Sequence, residues 1–313
     1  MNKKLLAILP VILLIPFGVA ANTLQGGGFL EEISGLKTTD GLELIRSHAE
    51  DPPGLMVHVA ITQTQILVEG EPILYLNSGP QGAIIPENER KGQLVLSLFE
   101  VLQKQADQRK VVGHYLKGVL AGDPFMFNGT IGLTFDRRVP FSTVRSVMYT
   151  AGQATFGIFR FVVDNPFMES IAAIESTLPA FGIPELPGEE EEYSRPLNLS
   201  VFVSRKGLNI MGDLPQGTQT SLPCKSGTCG SVEDYPWDAF NDILGPLKDQ
   251  YPYERTFIVV PEEDVSIEVI ARAIDYSRWA PMVPLESDTS TWHTWQTHRK
   301  ELFHSPVLAG GSQ

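Results

Sequence analysis

Residues that could do chemistry are few in this chain, and they lie far apart. The first grouping is Asp136-Arg137-Arg138, followed by Val139 and Pro140. A carboxylate and two guanidiniums just ahead of a helix suit contact with a protein or glycan partner, with arginine as the anchor. The same residues also suit plain turn chemistry, since an aspartate near a helix N-terminus is favoured by the macrodipole. The second grouping is Cys224 and Cys229, the only cysteines, separated by Lys-Ser-Gly-Thr. That stretch can turn, so in an oxidising compartment the pair can close a small local loop. A metal reading lacks a second ligand pair nearby. His293 and His298 sit among tryptophans and read as a polar surface loop rather than a metal site. Glu189 to Glu192 reads as a solvated linker. Gly26-Gly27-Gly28 has no strand, helix or lysine in the positions a phosphate loop needs, so it reads as linker too. No G-x-S-x-G elbow and no H-E-x-x-H helix occurs. The expectation is a non-enzymatic protein with no cofactor and no metal.

The elements that must position these groups follow from periodicity. Val57, Val59 and Ile61 alternate with His58 and Ala60, a half-buried strand. Gln65 to Ile73 is a second strand, with Glu69-Gly70 as a turn or bulge. Lys91 to Gln108 carries Leu94, Leu98, Val101 and Leu102 on one helical stripe. Gly129 to Phe135 is a strand, and Pro140 opens a helix at a favoured first-turn position. Thr155 to Val163 is a strand with an aromatic core face (Phe156, Phe159, Phe161). Asn165-Pro166 reads as a helix start, with Phe167, Ile171 and Ile174 on a connecting helix. Residues 196–313 repeat the order: strands at 197–203 and 207–214, a helix from Trp237 ended or kinked at Pro246, a strand at 256–260, a helix over Ile267, Ile270 and Ile274, and a last strand at 302–308. Val139-Pro140-Phe141 is echoed by Val265-Ser266-Ile267 at an offset of 126 residues. The expected class is α+β, with helices on one face of a mixed sheet in each of two tandem two-layer units. The predicted boundaries are 1–21 leader or anchor, 22–54 linker with a short helix near 40–48, 55–165 first unit, 166–195 connecting helix and acidic Pro/Gly linker, and 196–313 second unit.

Composition sets the outer limits. The chain has 313 residues and a net charge of −13, which excludes nucleic acid as a partner, because phosphate binding needs a basic face. Met1 to Lys4 is cationic, and Leu5 to Ala21 is an uncharged apolar run ending in small residues. It reads as a secretory signal peptide, with an uncleaved inner-membrane anchor as the rival. Both place the rest of the chain in the periplasm.

Residues 129–163 resemble the periplasmic domain of the ExbD/TolR family of biopolymer transport proteins. The resemblance rests on a strand ending at Asp136, a charged loop, Val139-Pro140, and then Val144, Val147, Met148, Ala151 and Ala154 on the following helix. Residues 197–214 and 234–275 resemble it more weakly. The resemblance implies a cell-envelope component of an energy-transducing transport or motor system. It would bind an ExbB/TolQ-like channel protein, another envelope protein or peptidoglycan, with a second copy of itself among the expected partners. Asp136, Arg137, Arg138 and Pro140 are the expected partner-binding residues, and Cys224–Cys229 the possible disulfide. The departure lies in Leu5 to Ala21, which has no carboxylate to carry protons. The alternative class is an exported hydrolase or solute-binding protein with an unrecognised site.

Overall fold

The computed structural model describes residues 33, 35–37, 40–54, 56–79, 82–116, 127–177, 197–212 and 219–309. The leader, the triple glycine and the acidic run 189–192 therefore lie outside the described residues.

Eleven strands form one continuous mixed sheet. The first half supplies β1 (Val57–Ile61), β2 (Gln65–Val68), β3 (Glu71–Tyr75), β4 (Thr130–Phe135), β5 (Ile158–Asn165) and β6 (Ser170–Thr177). The second half supplies β7 (Ser200–Ser204), β8 (Gly207–Met211), β9 (Gln219–Pro223), β10 (Thr256–Pro261) and β11 (Ser305–Leu308). Their order across the sheet is β9-β8-β7-β10-β11-β6-β5-β4-β1-β2-β3. Both halves thus read first strand, fourth, fifth towards the centre and second, third towards the edge, with β6 inserted between them. The helices are α1 (Leu96–Leu116), α2 (Phe141–Gln153), α3 (Trp237–Gln250), α4 (Ile267–Arg278) and α5 (Thr289–His298).

Strand alternation decides the two faces. Val57, Val59 and Ile61 of β1, Ile131 and Leu133 of β4, and Val201, Val203 and Val259 of the second half share one core with Leu98, Val147, Leu244 and Ile270 from α1 to α4. On the opposite face, Ala60, Leu67 and Val162 are covered by Ile33, Leu36, Leu42 and Leu44.

Several expectations give way here. The stretch 22–54 is not a linker over its described part. Ile45, Ser47, His48 and Ala49 are buried, and residues 40–48 are extended rather than helical. Residues 170–177, expected in a connecting helix, form β6, paired along its length with β5. Ile171 and Ile174 have helical spacing, but Ala172, Ala173 and Ile174 are all buried, as suits a strand covered on both faces. Of the turn or bulge expected at Glu69-Gly70 within the strand 65–73, the structure has the turn: φ of 52° and 81° make the two-residue turn that matches strand twist and divide the stretch into the hairpin β2–β3. The polar region before the cysteines contains β9. α3 runs four residues beyond Pro246. The tryptophan-rich loop is helix α5, started by Asp288, whose carboxylate accepts the Thr291 N–H at 2.9 Å. Two separate sandwiches were expected, and one sheet runs through both halves.

Candidate functional site

The four residues expected to bind a partner lie where the two halves meet. Asp136 directly follows β4 and is fully buried. Its carboxylate accepts from the Glu43 N–H (3.0 Å), the Gln63 amide (2.9 Å), and the Arg138 N–H (3.0 Å) and guanidinium (2.8 Å). Burial pushes this carboxyl up, but the Arg138 hydrogen bonds and the backbone donors outweigh it and hold it below its ordinary value. Arg137 donates to Glu43 (2.6 Å) and to Glu268 of the other half (3.3 Å). Arg138 also pairs with Glu43 at 3.4 Å. These groups serve one another and the extended segment 42–44, so they form a structural clamp around Glu43.

Pro140 sits two residues after Arg138, and there the halves pair symmetrically. The Phe141 N–H donates to the Val265 carbonyl at 2.8 Å, and the Ile267 N–H donates to the Val139 carbonyl at 2.9 Å. Ser142 donates to Glu263 and Glu268 to Arg137 in the same way. The first N–H groups of a helix have no partner inside it. α2 and α4 therefore cap each other, through loops offset by 126 residues. Pro140, with no N–H to satisfy, forms a bridge with Ser266 on this local two-fold. The charges of the two loops are opposite: Arg137 meets Glu268, and Arg145 meets Glu263.

A second buried polar cluster lies beside it, and nothing in the sequence announces it. His48 comes from the segment before β1 and Asp275 from α4. The imidazole Nδ1 lies 3.3 Å from the Asp275 carboxylate, which also accepts the Ser47 hydroxyl at 2.8 Å and the His48 N–H at 3.0 Å. Nε2 lies 2.8 Å from the Val283 carbonyl. Phe167, Trp292 and Trp295 pack around the ring. The residue types are those of a nucleophile triad, but the connectivity is different. The serine hydroxyl is bound to the carboxylate, not to the imidazole, so it is not activated as a nucleophile. Both partners have side chains at or below 1% exposure, so the cluster is an internal rivet.

Cys224 and Cys229 are joined by a disulfide, with Cα atoms 5.4 Å apart. The Cys224 and Cys229 N–H groups donate to Lys206 and Arg205, so the bridge pins the β7–β8 turn. His293 and His298 are exposed on α5, and among the described residues no group of three or more metal-ligating side chains converges.

No protein-family model, curated protein or solved structure matches this chain.

Proposed function

We propose that this chain is a non-enzymatic, periplasmic envelope component, exported or anchored by residues 5–21, that works by binding. Its two halves are read as tandem ExbD/TolR-like units. The observation that favours this reading is the reciprocal capping of α2 and α4. One chain holds two copies of the same strand–loop–helix passage about a local two-fold, with Arg137 and Arg145 on one side and Glu268 and Glu263 on the other. Two identical chains would set like charges against each other there; a duplicated chain can diverge until the charges match. Duplication then supplies internally the pairing that single-unit relatives would obtain as a homodimer, and leaves the outer surfaces for an ExbB/TolQ-like channel protein, another envelope protein or peptidoglycan.

The test is co-expression of the full-length chain with an ExbB/TolQ-like channel protein from the same organism, followed by detergent extraction and size-exclusion chromatography. Co-elution at fixed stoichiometry is expected. Separate elution removes the channel partner. N-terminal sequencing of the same sample decides between leader and anchor: a mature chain starting at Asn22 has lost residues 1–21.

A further inference from the structure

The two halves differ in one place where their common topology should make them alike. In the first half, the sheet face turned away from the helices is covered. Leu42 and Leu44 lie on Ala60 and Leu67, and the Asp136 carboxylate holds the chain between them through the Glu43 N–H. In the second half the matching face is open among the described residues. Ala60 pairs with Leu67 as Phe202 pairs with Asn209, and the Asp136 N–H binds the Ile61 carbonyl as the Glu262 N–H binds the Val203 carbonyl. Phe202, Asn209 and Glu262 therefore occupy the seat that Ala60, Leu67 and Asp136 form in the first half. Phe202 and Met211 are each 37% exposed, and the face forms a groove of about 460 Å³ that Glu262 and Glu263 also line.

The charges at the end of the seat are reversed. Where the first half has Arg137 and Arg138 to receive Glu43, the second has Glu263 and Asp264. Glu263 is engaged by Arg145, and Asp264 by Arg205 at 3.7 Å. Among the described residues, the exposed Glu262 carboxylate has no hydrogen-bond or ion-pair partner, whereas its counterpart Asp136 has donors from three residues. A seat with the same strand pairing, no arginine in the positions of Arg137 and Arg138, and an unpaired carboxylate at Glu262 suits an occupant with a basic side chain.

We propose that this face docks an extended segment of a partner protein with an apolar–basic–apolar pattern. The basic side chain meets Glu262, and the two apolar side chains lie on Phe202 and Met211. Neither the acidic stretch 178–196 of the same chain nor a second copy is a good source of such a segment. That stretch has five glutamates and one arginine, and a second copy brings a net charge of −13. The inference uses only the precedent inside this chain, so it stands or falls independently of any channel partner.

Two fluorescein-labelled peptides test it by polarisation against the full-length chain: the sequence of residues 40–46, Asp-Gly-Leu-Glu-Leu-Ile-Arg, and the same peptide with lysine in place of glutamate. The lysine peptide is expected to bind about tenfold more tightly, the scale of one charge contact. Glu262→Arg should reverse the preference, Glu262→Gln should erase it, and Phe202→Ser should weaken both peptides. Glu262 is exposed, so these variants should keep the circular dichroism of the parent. Equal binding of the two peptides, binding of neither, or a preference that survives Glu262→Arg overturns the proposal. Self-association of the chain that is sensitive to Glu262→Arg and excludes both peptides overturns it in favour of a second copy.

Discussion

His48 and Asp275 are 227 residues apart in sequence, and they join the extended segment before β1 to the core of the second half. Both imidazole nitrogens face acceptors, the Asp275 carboxylate and the Val283 carbonyl. Removing either partner strands a buried polar group. His48→Ala or Asp275→Ala should therefore cost about 3–5 kcal/mol in urea unfolding. A loss below about 1 kcal/mol would show that the cluster is not a rivet. Burial pushes the Asp275 carboxyl up, but the hydrogen bond and charge of His48, with the Ser47 hydroxyl, outweigh it and hold it below 3.8. A depressed carboxyl contributes stability that is complete above the unfolded pKa and is lost as pH falls through the folded one. Unfolding midpoints should therefore fall below about pH 4 in the parent, and less steeply in Asp275→Asn. Asp136, Glu50, Asp234 and Asp288 are lowered too and act with the same sign, so the parent slope belongs to all of these carboxylates and only the difference belongs to Asp275.

At the scale of elements, the pairing of the two β–α loops is the feature with most consequence. The backbone capping is satisfied whatever the side chains, but the charges select which loop faces which. Arg137→Glu would put a third carboxylate beside Glu43 and Glu268, and should lower stability by about 1 kcal/mol, since these groups are partly exposed. Adding Glu268→Arg should recover part of that loss in a double-mutant cycle. Strict additivity would mean the two side chains do not interact. The passage 129–153 was legible in sequence because its strand alternation, its proline and its single helical stripe agree. The 126-residue echo was legible too, but its meaning was not: the halves meet through backbone groups, which carry no side-chain signature. The charge run and turn of Asp136, Arg137 and Arg138 suggest a surface anchor; Arg137 and Arg138 are partly exposed, but Asp136 is buried and the arginines are tied to other parts of the chain. Their partners, Glu43 and Glu268, are 93 and 131 residues away, beyond any local pattern. The segment 40–54 misled for a related reason. Its prolines and glycines punctuate like a linker, yet its apolar residues fill a sheet face that alternation in β1 and β2 alone could not show to be covered.

At the scale of the whole molecule, the joint between the halves is narrow in the sheet and broad around it. Among the described residues, β6 and β11 share a single register pair, Thr177 with Val307, with the Ser176 hydroxyl on the Pro306 carbonyl beside it. The rest of the joint includes the capped loops, the His48–Asp275 rivet, Arg46 on Glu286 and the Leu285 carbonyl, and Glu50, which holds Arg299 at 2.6 Å. Phe167, from the β5–β6 turn, stacks on Trp292 of α5 with ring centroids 4.5 Å apart. An interface that buries charge pairs and aromatic rings would leave each half exposing them if the two were parted. Dividing the chain between residues 186 and 187 therefore tests whether the halves fold as one unit. Residues 22–186 and 187–313 produced together should co-purify one to one, with a single cooperative unfolding transition. Each produced alone should aggregate or unfold without cooperativity, because the second half loses Ser47, His48 and the strand beside β11, and the first loses the caps on α2. If either fragment alone unfolds cooperatively with the stability of the intact chain, the shared sheet is only contact between two independent domains, and the divergence in charge at their loops needs another cause.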